Sequence, residues 1–180
     1  MNRYVAFLRG MNLGGRRIKN EELGDEFEAL GFAEVACFRA SGNVVFAVDG
    51  GGETKLTARI EAGLGEALGY AVPVFLRDSD ELREIVGRTP FDPAEVATSK
   101  GKLQVAFLAS APAAASRKTA LALATDEDRL AVEGRELHWL PSAGISESDL
   151  DLKALEAALG PWTMRTVGTV EQLVTRYFKE

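Results

Sequence analysis

A four-residue apolar run, Val5-Ala6-Phe7-Leu8, returns as Val105-Ala106-Phe107-Leu108, and the elements predicted after each copy begin in the same order. Buried strands draw on few residue types, so the match alone says little. The shared order around it is what constrains the fold. After the first copy, Leu23, Phe27 and Leu30 fall on one helical face, with Asn20 predicted as the N-cap, Glu21 and Glu22 in the first turn and Gly31 as the stop. Residues 34–39 and 43–48 read as the strands of a hairpin joined near Ser41-Gly42. Past the Asp49-Gly50-Gly51-Gly52 turn, Leu56, Ile60, Leu64 and Leu68 make a second helical stripe that ends at Gly69. Residues 71–77 then read as a strand, and Pro73 assigns it to a sheet edge because proline cannot donate a ladder hydrogen bond. The order is βαββαβ, the ferredoxin-like unit.

The second copy is again followed by a helix, with Pro112 near its first turn, and by two strands, residues 129–132 and 136–140, around Glu133-Gly134-Arg135. Helices over 148–159, stopped by Gly160-Pro161, and over 169–178 close the chain. The predicted fold class is α+β: two ferredoxin-like (βαββαβ-type) subdomains by duplication, the second ending in a helix. The predicted organisation is an N-terminal subdomain over 1–78, a linker helix (79–87) and stiff loop (Thr89-Pro90-Phe91-Asp92-Pro93) within 79–101, and a C-terminal subdomain over 102–180.

With 180 residues, 46% of them apolar, the chain can bury one sizeable core or two small ones. Its charge is segregated. Arg3, Arg9, Arg16, Arg17 and Lys19 fall in the first twenty residues, which hold no acid; the remainder sets 16 basic residues against 27 acids, a net of −11, while the whole chain carries −6. That pattern suggests a local anion site and argues against a duplex-DNA binder. The lone Cys37 allows no internal disulfide, no apolar run approaches the roughly 18 residues of a membrane span, and the N-terminus alternates charged and apolar residues, so a cytoplasmic protein is expected.

The sharpest candidate site follows the first strand. Arg9 can present a bidentate guanidinium to phosphate or carboxylate, Asn12 offers a donor and an acceptor, and Gly10, Gly14 and Gly15 let the backbone come close. The stretch lacks the Gly-Lys-Ser/Thr ending of a phosphate-binding loop and the G-x-G-x-x-G spacing of a dinucleotide fingerprint. Ser41, Gly42 and Asn43 form a second candidate, set in Arg39-Ala40-Ser41-Gly42-Asn43-Val44-Val45-Phe46. Compared with the strand motif of RNA-recognition modules, this run puts Ser41 and Asn43 where bases would stack on aromatics. Ser41 sits in no nucleophile elbow, the only histidine, His138, lies on a strand of the other half, and Cys37 has nothing nearby to lower its pKa. No Cys or His pair stands at metal-ligand spacing, and Glu147, Asp149 and Asp151 read as acids complementing a helix start. Arg165 and Thr169, clustered with Thr163 and Thr166 before the final helix, form a third candidate.

Arg-Gly-Met-Asn-Leu-Gly-Gly at 9–15, Ser-Gly-Asn-Val-Val-Phe at 41–46, Pro-Phe at 90–91 and Thr-x-Arg-x-x-x-Thr-Val at 163–170 resemble, in order, the motifs of the bacterial family catalogued as domain of unknown function 1697. The resemblance implies a duplicated ferredoxin-like fold and carries no activity, substrate or catalytic residue. In the last motif this chain has Thr166 where the family usually has Asn, so a hydroxyl replaces an amide there.

The leading expectation is a protein that binds a small anionic, phosphate-bearing ligand through Arg9, Gly10, Asn12, Gly14 and Gly15, with Ser41, Gly42, Asn43, Arg165 and Thr169 as further contacts. Its reaction, if it has one, is unnamed, and no cofactor or metal is called for. A protein-interaction module, including a homodimer formed through the Pro73 edge or the second half, is the rival from another class. Overall acidity and the missing stacking aromatics count against an RNA binder.

Overall fold

A computed structural model of the chain describes every residue except Asn12, Ser41 and Glu180. It contains two compact units, Met1–Arg83 with the stretch from Leu173 onward, and Glu84–Gln172.

In the first unit, β1 (Asn2–Leu8), α1 (Asn20–Ala29), β2 (Ala33–Cys37), β3 (Asn43–Val48), α2 (Glu53–Leu68) and β4 (Val74–Asp78) lead into α3 (Ser79–Gly87). The strands form an antiparallel sheet in the order β2-β3-β1-β4, so the strand after Pro73 does lie at an edge. Period-2 alternation sorts β1: Tyr4, Ala6 and Leu8 join Val44, Phe46, Val74 and Leu76 in one core with Leu23 and Phe27 of α1 and Leu56, Ile60 and Leu64 of α2. Phe46 anchors it, with ring centroids 4.5 Å from Phe32, 5.7 Å from Phe27 and 5.8 Å from Tyr4. The other sheet face carries Val5, Phe7, Val45, Phe75 and Arg77, and these are buried as well. The edge strand β2 is interrupted between Ala33 and Ala36, where Glu34 takes φ 50° and its carboxylate pairs with Arg3.

Asn20 is the first residue of α1 instead of its cap. Lys19 occupies the cap position, and the Glu22 carboxylate accepts from the Lys19 amide at 3.1 Å.

In the second unit, α4 (Pro93–Thr98), β5 (Gln104–Leu108), α5 (Ala114–Leu121), β6 (Asp128–Glu133), β7 (Glu136–Pro141), α6 (Leu152–Leu159) and β8 (Trp162–Thr166) follow, and α7 (Val167–Tyr177) begins there and runs on into the residues grouped with the first unit. The sheet order is β6-β7-β5-β8, again antiparallel. Ala106, Leu108, Val132, Leu137, Trp139 and Trp162 pack with Leu155 and Leu159 of α6. Both units therefore place the repeated Val-Ala-Phe-Leu segment on the strand hydrogen-bonded between the third and the last strand of the unit, as duplication requires.

Three elements differ from the sequence reading. The Thr-Pro-Phe-Asp-Pro loop continues into α4, because Asp92 caps it by accepting from the Ala94 amide at 2.8 Å and Pro93 suits the first helical position. The helix predicted from 148 begins at Leu152, where Asp151 accepts from the Ala154 amide at 2.9 Å; a 3-10 turn covers Ile145–Glu147. The segment 162–166, read as the approach to the last helix, is the strand β8.

Candidate functional site

The chain leaves β1 under two backbone constraints: the Leu8 amide donates to the Gly42 carbonyl at 2.8 Å, and the Arg9 amide donates to the Pro73 carbonyl at 3.0 Å. Gly10 follows at φ 75° and Met11 turns inward, 8% exposed. Asn12 lies outside the described residues. Leu13 to Arg16 then form a tight reverse turn, with Gly14 at φ 57° and Gly15 at φ 81° between them and the Arg16 amide donating to the Leu13 carbonyl at 2.9 Å. Positive φ at both central residues is the requirement of a type I′ turn, which glycine meets without strain. Among the described residues, chain neighbours aside, no atom stands within 4 Å of where a Cβ would sit on Gly10, Gly14 or Gly15, so this backbone is open to them.

The hairpin between β2 and β3 comes to the same place. Gly42 has φ 75°, and a Cβ there would stand 2.8 Å from Met11 Cγ and 3.0 Å from Leu8 Cβ. Glycine suits that approach, so the Arg9 loop and the chain at Gly42 are packed together at one end of the first sheet. Ser41 itself lies outside the described residues. Asn43 is buried; its Nδ2 donates to the Phe38 carbonyl at 3.0 Å while the Phe38 amide donates to the Asn43 carbonyl at 2.9 Å. That pairing assigns Asn43 a structural duty in the hairpin. Arg39, a non-glycine residue at φ 58°, occupies the hairpin tip in a conformation that costs about 1–3 kcal/mol. The two segments are rich in arginine: Arg9 is half-buried, Arg16, Arg17 and Arg39 are exposed, and the Arg16 guanidinium lies 4.5 Å from the Tyr70 ring centroid.

Arg165 and Thr169 belong to the second unit. Arg165 sits on β8 opposite Val105, and its Nη1 donates to the Thr163 hydroxyl at 2.9 Å and to the Met164 carbonyl at 2.7 Å. Burial lowers its pKa from the usual guanidinium range to about 10. The Thr169 amide donates to the Thr166 hydroxyl at 3.2 Å, so the start of α7 is held from within the motif.

The second unit also holds polar groups that no local sequence signal marks. Arg88 pairs with Glu136 at 2.6 Å and with Glu133 at 3.4 Å. His138, 1% exposed, has no hydrogen-bond partner at either ring nitrogen, and burial, then Arg88, lower its pKa below 6.5 against the opposing pull of Glu133 and Glu136. A neutral, enclosed imidazole with no hydroxyl or thiol bonded to it is no general base in this arrangement. Burial pushes the Cys37 thiol up to about 11, which removes it as a nucleophile at neutral pH. Among the described residues no group of His, Cys, Asp and Glu could hold a metal ion. A cleft of about 460 Å³ opens in the second unit between Glu95, Lys100, Glu127, Arg129 and Pro141, with Glu95 and Arg129 paired at 2.7 Å along its wall; it contains none of the motif residues. No helix among the described residues is long and apolar enough to cross a membrane.

Comparison with known proteins adds a family and a fold. The family described as "Protein of unknown function (DUF1697)" matches residues 1–138, a span that includes both loops of the first unit and ends before the Thr163-x-Arg165 motif. No curated protein matches the chain. The solved structure of the conserved bacterial protein SP0830 from Streptococcus pneumoniae is similar with a TM-score of 0.76 over 99% of each chain at 18% identity, a likeness of fold alone.

Proposed function

We propose, for a chain that belongs to the DUF1697 family of proteins of unknown function, that the Arg9–Gly15 loop binds a small phosphate-bearing ligand. The observation that carries this reading is the contact of Gly42 with Met11 and Leu8, which packs two glycine-containing loops side by side, with Arg9, Arg16, Arg17 and Arg39 in or next to those loops along the chain. Arg9 supplies a planar guanidinium fork that matches two phosphate oxygens. The open backbone at Gly10, Gly14 and Gly15 lets a phosphate approach amide donors without meeting a side chain. Strain held at Arg39 fits a site fixed in advance of its ligand. The reading assigns binding and names no reaction, since among the described residues near the loop no nucleophile is paired with a base.

A thermal-shift screen of nucleotides and sugar phosphates tests the reading, since a ligand at 100 times its dissociation constant stabilises by about 2.7 kcal/mol. Arg9→Ala is expected to weaken the ligand so found by one to two decades, equivalent to the roughly 1.5–3 kcal/mol of a charge-assisted hydrogen bond. A screen in which no anion shifts the melting curve, or an Arg9→Ala protein that binds as well as the wild type, would contradict it.

A further inference from the structure

The Arg9 loop carries more than positive charge. Leu13 stands 66% exposed at its tip, among Arg9, Arg16 and Arg17. Leu13 and Arg16 are the two residues that flank the Gly14-Gly15 turn, joined by the Arg16 amide to Leu13 carbonyl bond. Residues so placed stand close together at the open end of the turn, on one face of it, with Cα atoms less than about 7 Å apart. On that face the Arg16 guanidinium is stacked against Tyr70 at 4.5 Å from its centroid. The guanidinium is planar, its carbon lies over the Tyr70 ring, and the residue remains exposed. An exposed apolar side chain and an exposed guanidinium, on the two residues flanking one turn of the loop proposed to hold the phosphate, offer a seat for a flat ring. A sugar phosphate or inorganic phosphate has no surface to match it.

We infer that the phosphate-bearing ligand also carries a nucleobase, so that the site takes a nucleoside phosphate whose base lies against Leu13 and the Arg16–Tyr70 stack. The inference rests on the phosphate site proposed above and adds the ring-binding half to it. Stacking of a base on such a platform strengthens binding by about tenfold or more. Because every base has a π face, the seat grips a ring without selecting among bases.

The test is a calorimetric titration of the full chain with adenosine monophosphate and with ribose 5-phosphate, which share the sugar and the phosphate. Adenosine monophosphate is expected to bind at least about tenfold more tightly. That ratio is expected to fall toward unity in Leu13→Ser, which removes the apolar wall, and in Arg16→Lys, which keeps the charge but loses the plane. Saturation-transfer difference spectra are expected to place the strongest contacts on the base protons. Equal affinity of the two compounds overturns the base seat and leaves the phosphate site standing. A ratio that survives in both variants overturns it too. Failure of both compounds, and of every other phosphate, to bind overturns the phosphate site and this inference together.

Discussion

The two units share a backbone plan and differ in what hangs from it. The Leu8 amide donates to the Gly42 carbonyl at 2.8 Å, and the Leu108 amide donates to the Arg135 carbonyl at 2.9 Å. Val5 is flanked by Val45 and Arg77, and Val105 by His138 and Arg165. Arg77 and Arg165 even make the same local bond, each Nη1 donating to the preceding carbonyl at 2.7 Å. Yet the segment after Leu8 is Arg-Gly-Met-Asn-Leu-Gly-Gly and runs to α1 at Asn20, whereas Ala109-Ser110-Ala111-Pro112-Ala113 reaches α5 directly, with neither glycine nor arginine. Asn43 and Glu136 occupy one station, opposite Phe7 and Phe107, and Val45 and His138 another. The contrast thus lies in the loops and side chains and not in the backbone plan: the first unit carries a glycine- and arginine-rich turn, the second a buried polar cluster.

Substitutions at paired stations test how far that contrast reaches. The largest effect is expected at Glu136, where Glu136→Leu leaves the Arg88 guanidinium, with its side chain only 18% exposed, without its closest carboxylate and costs about 3 kcal/mol or more. Asn43→Leu, at the matching station, removes a hydrogen bond to the Phe38 carbonyl and costs about 1–2 kcal/mol. Urea denaturation of both variants measures the difference, and equal losses would mean that the two stations are energetically alike.

A loss of about 2 kcal/mol, smaller than that at Glu136, is expected for Gly42→Ala, which combines a left-handed φ with a Cβ pressed on Met11 and Leu8. Its counterpart Arg135 is half-buried and carries no left-handed φ, so Arg135→Ala should lack the backbone part of that loss. A tolerant Gly42 would show that the two loops of the first unit are not packed as described.

The smallest effect concerns His138, and it has the opposite sign. His138→Leu removes two unsatisfied buried nitrogens and is expected to stabilise the protein by about 1 kcal/mol at pH 8. The gain should grow on acidification. The folded imidazole has its pKa lowered from 6.5, so as pH falls below 6.5 the unfolded chain takes up a proton that the folded chain resists, and wild-type stability declines until the folded pKa is reached. Denaturation at pH 8 and pH 5 measures this, and parallel pH dependence of wild type and variant would refute it.

Much of this architecture was legible from local signals. The helical stripes at Leu23-Phe27 and Leu56-Ile60-Leu64, the edge position after Pro73 and the repeated central strand all follow from periodicity and backbone chemistry. The strand β8 was hidden because Thr163, Arg165 and Thr166 look like a polar helix approach, while its Arg165 folds back on the local hydroxyl and carbonyl that make burial tolerable. Helix α4 was hidden by Pro90 and Pro93, since proline marks a helix start as readily as a loop. The Arg9 loop announced itself through glycines and charge. Its closeness to Gly42, and the pairing of Arg88 with Glu136, join residues far apart in sequence and needed the folded chain to be seen.

The central claim, that the Arg9 loop and not its counterpart in the second unit is the anion site, is tested most directly by following backbone amide resonances of the isotope-labelled full chain during titration with inorganic phosphate. The account predicts saturable shifts at Gly10, Gly14, Gly15 and Gly42, with Ser110 and Ala111 unmoved. Shifts confined to the second unit, or no shift at the four glycines at any phosphate concentration, would contradict it.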